Sequence, residues 1–156
     1  MKRLIAVLLT TIVFLLSACG KETAIAHFST KEEALEHFIQ NEGIRGAVDV
    51  LTTTKEEEVL AIQLNENTYF AGEVAKDKKG YVVKRISANV VMEAGGGWEL
   101  TSTANQKYTI YFEKQKENQH FQPLSNGHYY VSLVEGHQIT EEPIYKNAIK
   151  DLTAVQ

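Results

Sequence analysis

One cysteine, Cys19, is present in 156 residues. No internal disulfide can form, so whatever folds must stand on packing. No apolar run is long enough to cross a bilayer as a helix. The longest, residues 4–16, has 13 residues of which only Thr10 and Thr11 are not apolar. As a helix it would reach about 20 Å at ~1.5 Å per residue, short of the ~30 Å hydrocarbon core. Basic excess is missing too, since 16 Lys and Arg stand against 20 Asp and Glu. That speaks against a nucleic-acid groove or a membrane-lying basic face. Catalytic signatures are equally scarce: the chain has no G-x-S-x-G and no S-x-x-K. His27, His37, His120, His128 and His137 fall at no metal-ligand spacing. No metal and no cofactor is expected.

What is present begins with Lys2 and Arg3, which hold the start of the chain on the cytoplasmic side of a membrane. The apolar run then matches the length of a secretory signal core and ends in Leu16-Ser17-Ala18-Cys19. These four residues resemble the lipobox of bacterial lipoproteins, with an aliphatic residue, two small ones and a cysteine. The resemblance covers residues 1–20 and implies nothing for the rest. It implies that the Cys19 thiol becomes a thioether to diacylglycerol and that signal peptidase II cuts between Ala18 and Cys19. Residues 1–18 would be the signal peptide, and Cys19 the lipid-bearing first residue. A thiolate is the competent nucleophile for such an alkylation, and two acyl chains make a durable anchor where one would be marginal. Loss of Lys2 and Arg3 leaves 14 basic and 20 acidic residues in the mature chain, a net charge of −6. The expected location is the extracytoplasmic face of the cell membrane. The lack of further cysteines and the lysine-rich texture look more like a Gram-positive surface lipoprotein than a periplasmic one.

Residues 19–27 read as the lipidated N-terminus and a short tether, and residues 28–156 as a single α+β extracytoplasmic domain. Residues 30–42 predict a helix. Ser29 with Glu32, or Thr30 with Glu33, forms a capping box; Ala34, Leu35, Phe38 and Ile39 make one apolar stripe; Gly43 stops it. From Gly46 the period changes to two. Residues 47–53, 59–64, 68–75, 81–88, 98–103, 107–113 and 128–135 predict strands joined by short polar turns. Matching the apolar faces sets Ile62 opposite Phe70 across a three-residue loop. It likewise sets Trp98 opposite Phe112, and Leu100 opposite Ile110. Residues 114–127 read as a solvated loop or a splayed hairpin tip. Thr140 to Pro143 opens a short C-terminal helix carrying Ile144, Ala148, Ile149, Leu152 and Val155 on one stripe. The expected fold is α+β: an N-terminal amphipathic helix packed on a bent antiparallel meander of about seven strands, with a short C-terminal helix. That plan is loosely similar to cystatin-like folds, which have fewer strands, at the level of architecture only, and a small closed barrel is the competing picture.

Local features with a functional look mostly have plain explanations. Gly95-Gly96-Gly97 precedes a strand, whereas a phosphate loop needs a helix N-terminus there. Glu33 and His37 are helix neighbours, and Glu141-Glu142 suits a helix start. Asp77-Lys78-Lys79-Gly80 places bases where a calcium loop needs acids. More telling is the alternation in residues 108–113 and 129–134. It turns Tyr111 and Tyr130 to the outer sheet face, where either the C-terminal helix covers them or they serve as contact residues, a role tyrosine favours. The expected function is a lipid-anchored binding or interaction module of the bacterial cell envelope. Tyr111 and Tyr130 would form its partner surface and an envelope protein would be the partner. The alternative is a small envelope enzyme or a ligand sensor. No nucleic-acid partner is expected.

Overall fold

The computed structural model describes residues 25–116, 119–139 and 146–155. The leader, Cys19 and the start of the tether lie outside these residues, as does the expected helix opening at 140–145. Among the described residues no helix is long and apolar enough to cross a membrane.

The helix, α1, spans Lys31–Glu42. Of the two possible capping boxes, the one formed is Thr30 with Glu33: Glu33 N–H donates to Thr30 Oγ1 at 3.2 Å, and Thr30 N–H donates to Glu33 Oε2 at 3.3 Å. Gly43 ends the helix in the left-handed region at φ 64°, which costs glycine nothing.

Among the described residues ten strands follow, in two antiparallel sheets. They are β1 (Val48–Thr53), β2 (Glu58–Asn65), β3 (Thr68–Asp77), β4 (Gly80–Arg85), β5 (Val90–Val91), β6 (Gly95–Thr101), β7 (Lys107–Glu113), β8 (Gln122–Pro123), β9 (Tyr130–Glu135) and β10 (Ile149–Ala154). The first sheet runs β10-β1-β2-β3-β4, with β5 also paired to β3; the second runs β6-β7-β9-β8. The molecule is thus α+β in content, but not one seven-stranded meander. Three layers stack. Leu35 and Phe38 of α1 pack on Val50, Leu60, Ile62 and Phe70 of the first sheet. The other face of that sheet packs Leu51, Val59, Ala61 and Tyr69 against Tyr108, Ile110, Phe112 and Leu133 of the second. Cover on both faces explains why Val59, Leu60, Ala61 and Ile62 are all buried in succession.

Register confirms one expected pairing and shifts another. Ile62 lies opposite Phe70, but the expected three-residue loop is a two-residue turn at 66–67, and a bulge between Gln63 and Asn65 restores the register. Trp98, by contrast, faces Ile110, and Leu100 faces Tyr108, a slip of two residues that keeps the same side inward. The β6–β7 turn is longer than expected because the first sheet holds it. Ser102 Oγ donates to Glu57 Oε1 at 3.1 Å, and Thr103 N–H donates to Glu73 Oε2 at 2.7 Å.

The expected C-terminal helix is a correction of another kind, because Ile149–Ala154 is strand β10, antiparallel to β1. A bulge there places Asp151 opposite Thr52 and Ile149 opposite Thr53. The extra residue, Lys150, lets Ile149 and Leu152 face the same core although they are three apart. An i, i+3 spacing on a bulged strand imitates a helix. Residues 114–127 are not simply solvated either, since Phe121 and Leu124 are buried and Gln122–Pro123 pairs with β9.

Candidate functional site

Helix α1 lies over one part of the first sheet and leaves another bare. Glu42 is paired to Arg85 of β4 at 3.0 Å, and the Arg85 guanidinium sits 3.8 Å from the centre of the Phe70 ring. These contacts hold the helix C-terminus toward β3 and β4. Between the helix and the β1–β10 side, a groove of about 1010 Å³ remains open. Val48 and Val50 of β1 and Leu35 of α1 form its base, already buried against one another, and the half-buried Ile39 makes one wall. Thr153 and Val155 extend the floor to the sheet edge. Asp151, Glu32 and Glu36 stand around the rim. Lys31, the one basic residue lining the groove among the described residues, is held by Glu58 at 2.6 Å. Among the described residues, β10 has β1 on one side and no strand on the other.

The described chain begins at the opposite edge of this sheet. Phe28 exchanges two backbone hydrogen bonds with Tyr81 of β4, at 2.9 and 2.8 Å, and His27 Nε2 lies 3.0 Å from Asp77 Oδ2. Four strand spacings of ~4.8 Å put the β10 edge roughly 19 Å from the β4 edge.

Tyr111 and Tyr130 do share the outer face of the second sheet. Register sets Tyr111 opposite Ser132 and Tyr130 opposite Glu113, so the two rings are diagonal neighbours. Both are half-buried. The Tyr111 ring lies over Gly97, where an added Cβ would come within 2.7 Å of it, and its hydroxyl donates to the Gln138 carbonyl. What lies against this face is the return after β9, pinned by Thr109 Oγ1, which donates to Gly136 O and accepts from Gln138 N–H, both at 2.8 Å. A recess of about 570 Å³ beside it is lined by Gly95, Gly96, Gly97, Tyr111 and Ile139.

The interior of the sandwich carries polar groups at both ends that the sequence reading passed over. At one end the buried Asp49 accepts from Ser125 N–H at 3.1 Å and from Ser125 Oγ at 3.0 Å. Burial raises its carboxyl above the ordinary value, and the Ser125 bonds pull the other way. Asn126 Nδ2 reaches Tyr69 Oη at 2.9 Å and Gln63 Oε1 at 3.1 Å. Burial, chiefly, pushes the Tyr69 phenol up to about 12. At the other end Tyr108 donates its hydroxyl to Glu57. These groups clasp loops to strands and are satisfied within the fold.

The histidines stay apart in role. His37 packs on Phe28 at 4.7 Å between ring centres, and His137 Nε2 lies 2.8 Å from Leu100 O. Among the described residues no three of His, Cys, Asp and Glu converge as metal ligands would. Asp77 accepts from Lys79 N–H at 2.7 Å in a tight turn. Comparison with protein families, with curated proteins and with solved structures finds no match to this chain.

Proposed function

We propose that the chain is a lipid-anchored binding module of the bacterial cell envelope. Cys19 holds it on the extracytoplasmic face, and the groove between α1 and β10 receives an envelope protein. The leader residues support the anchor. The observation that carries the binding reading is the offset of α1, which leaves a groove lined by Thr153 and the half-buried Ile39 and Val155 beside an open strand. Concave apolar surfaces with a polar rim are where ligands are usually held. The groove also sits at the sheet edge away from Phe28, where the chain enters the described fold. Tyr111 serves the binding reading less well, because its ring and hydroxyl are already engaged with Gly97 and Gln138.

Photo-crosslinking in the native membrane tests this. Thr153→Trp fills the groove from an exposed position and is expected to abolish the crosslink to the partner. The Tyr111→Ser, Tyr130→Ser double variant is expected to keep it. The reverse pattern would transfer the function to the outer face of the second sheet.

A further inference from the structure

The groove has a floor, an open strand and a sign of charge, and together these specify an occupant. We infer that it takes an extended cationic segment of a partner protein, added as one more strand along residues 151–154 of β10. Every second side chain of that segment turns into the groove. An apolar one lies beside Thr153 and Val155, toward the half-buried Ile39, and lysine or arginine residues flank it at the acidic rim. The inference deepens the binding reading above and rests on it.

Three observations converge. Backbone groups on the outer side of β10 are placed to pair with an incoming strand, as edge strands do in β-augmentation. The paired stretch is short, because the bulge at Lys150 ends the regular run and leaves Asp151 to Ala154 in even register with Thr52 to Asp49. A bulge and a lysine are ordinary protections against pairing, and here they lie only at the β10 start. Glu32, Glu36 and Asp151 supply the third observation. Among the described residues none of them is in an ion pair, while the one lining cation is committed to Glu58. Glu36 accepts only from Gln40 at 3.2 Å and Asp151 only from Thr153 at 3.3 Å. An acidic segment would meet like charge at each of these positions, and a cationic one meets its complement.

The test uses the full chain purified in detergent and two blocked heptapeptides. One is Thr-Lys-Thr-Leu-Thr-Lys-Thr, and the other has glutamate in place of both lysines. Amide exchange across residues 151–155 is followed by mass spectrometry, and affinity by calorimetry at two salt concentrations. The lysine peptide is expected to slow exchange there and to bind more weakly at high salt. The Glu36→Lys, Asp151→Lys double variant is expected to lose at least about tenfold in affinity. Glu36→Gln alone should lose less, in case the double variant unfolds. The glutamate peptide should give no protection. Equal protection by both peptides would overturn the charge assignment and leave the groove reading standing. No protection by either overturns the inference, and the crosslinking result then decides separately whether the groove is used at all. Slow exchange without peptide, released on deleting residues 20–24, would show the groove filled by the chain's own tether, and would overturn it as well.

Discussion

Glu73 on β3 grips Thr103 with both carboxylate oxygens, accepting its N–H at 2.7 Å and its hydroxyl at 3.0 Å. Glu73 is only 4% exposed, so a buried charge on the first sheet is satisfied by a turn of the second. Removing the carboxylate strands the donors it served. Glu73→Ala is expected to cost about 2–3 kcal/mol, and Thr103→Val, which keeps the backbone bond, about 1 kcal/mol. Urea unfolding of the two variants checks the order; equal losses would mean the hydroxyl matters as much as the whole clasp.

Phe38 is the centre of the α1 contact, with its ring 6.3 Å from that of Phe70. Phe38→Ala is expected to destabilise by about 3–5 kcal/mol. A change under about 1 kcal/mol would mean the helix is not docked on the sheet. The fragment beginning at Lys21 should fold alone without disulfides and serves as the host for the measurement.

Asp49 gives a signed pH dependence. Its folded-state carboxyl titrates above the ordinary 3.8, so the folded state binds this proton more tightly than the unfolded one. The group therefore opposes folding above its folded value, and that opposition fades as pH falls toward the unfolded value. Asp49→Asn should gain least, relative to the parent, at the acid end of this window. Denaturant titrations between neutral pH and pH 4 check it, and an advantage that grows toward acid would refute the sign.

Cys19→Ala should abolish incorporation of a fatty-acid probe in growing cells and leave an uncleaved or released precursor. Retained label would remove the anchor from the account.

The parts legible in the sequence were those set by local rules. Thr30 and Glu33 mark the helix start because the capping box is contained within four residues. Ile62 finds Phe70 because a one-residue slip would turn every apolar side chain outward. What escaped was set by distant partners. The β6–β7 turn is shaped by Glu57 and Glu73, far along the chain. The groove could not be foreseen while its outer floor, Thr153 and Val155, read as helix. One signal did hint at the second layer: the unbroken apolar run Val59-Leu60-Ala61-Ile62 needs cover on both faces, more than one helix provides.

Ala148 carries a consequence for how the molecule is made. Its N–H donates to Leu133 O at 2.6 Å and its carbonyl accepts from Thr54 N–H at 2.9 Å, so one residue just before β10 stitches the second sheet to the first. The partners of β10 emerged from the ribosome roughly a hundred residues earlier, and such distant pairing is slow to close. Until residues 148–154 arrive, β1 stays a raw edge and the two sheets lack this seam. Nascent chains stalled short of that point should be open to protease along β1, and completion of the seam should be the late step of folding.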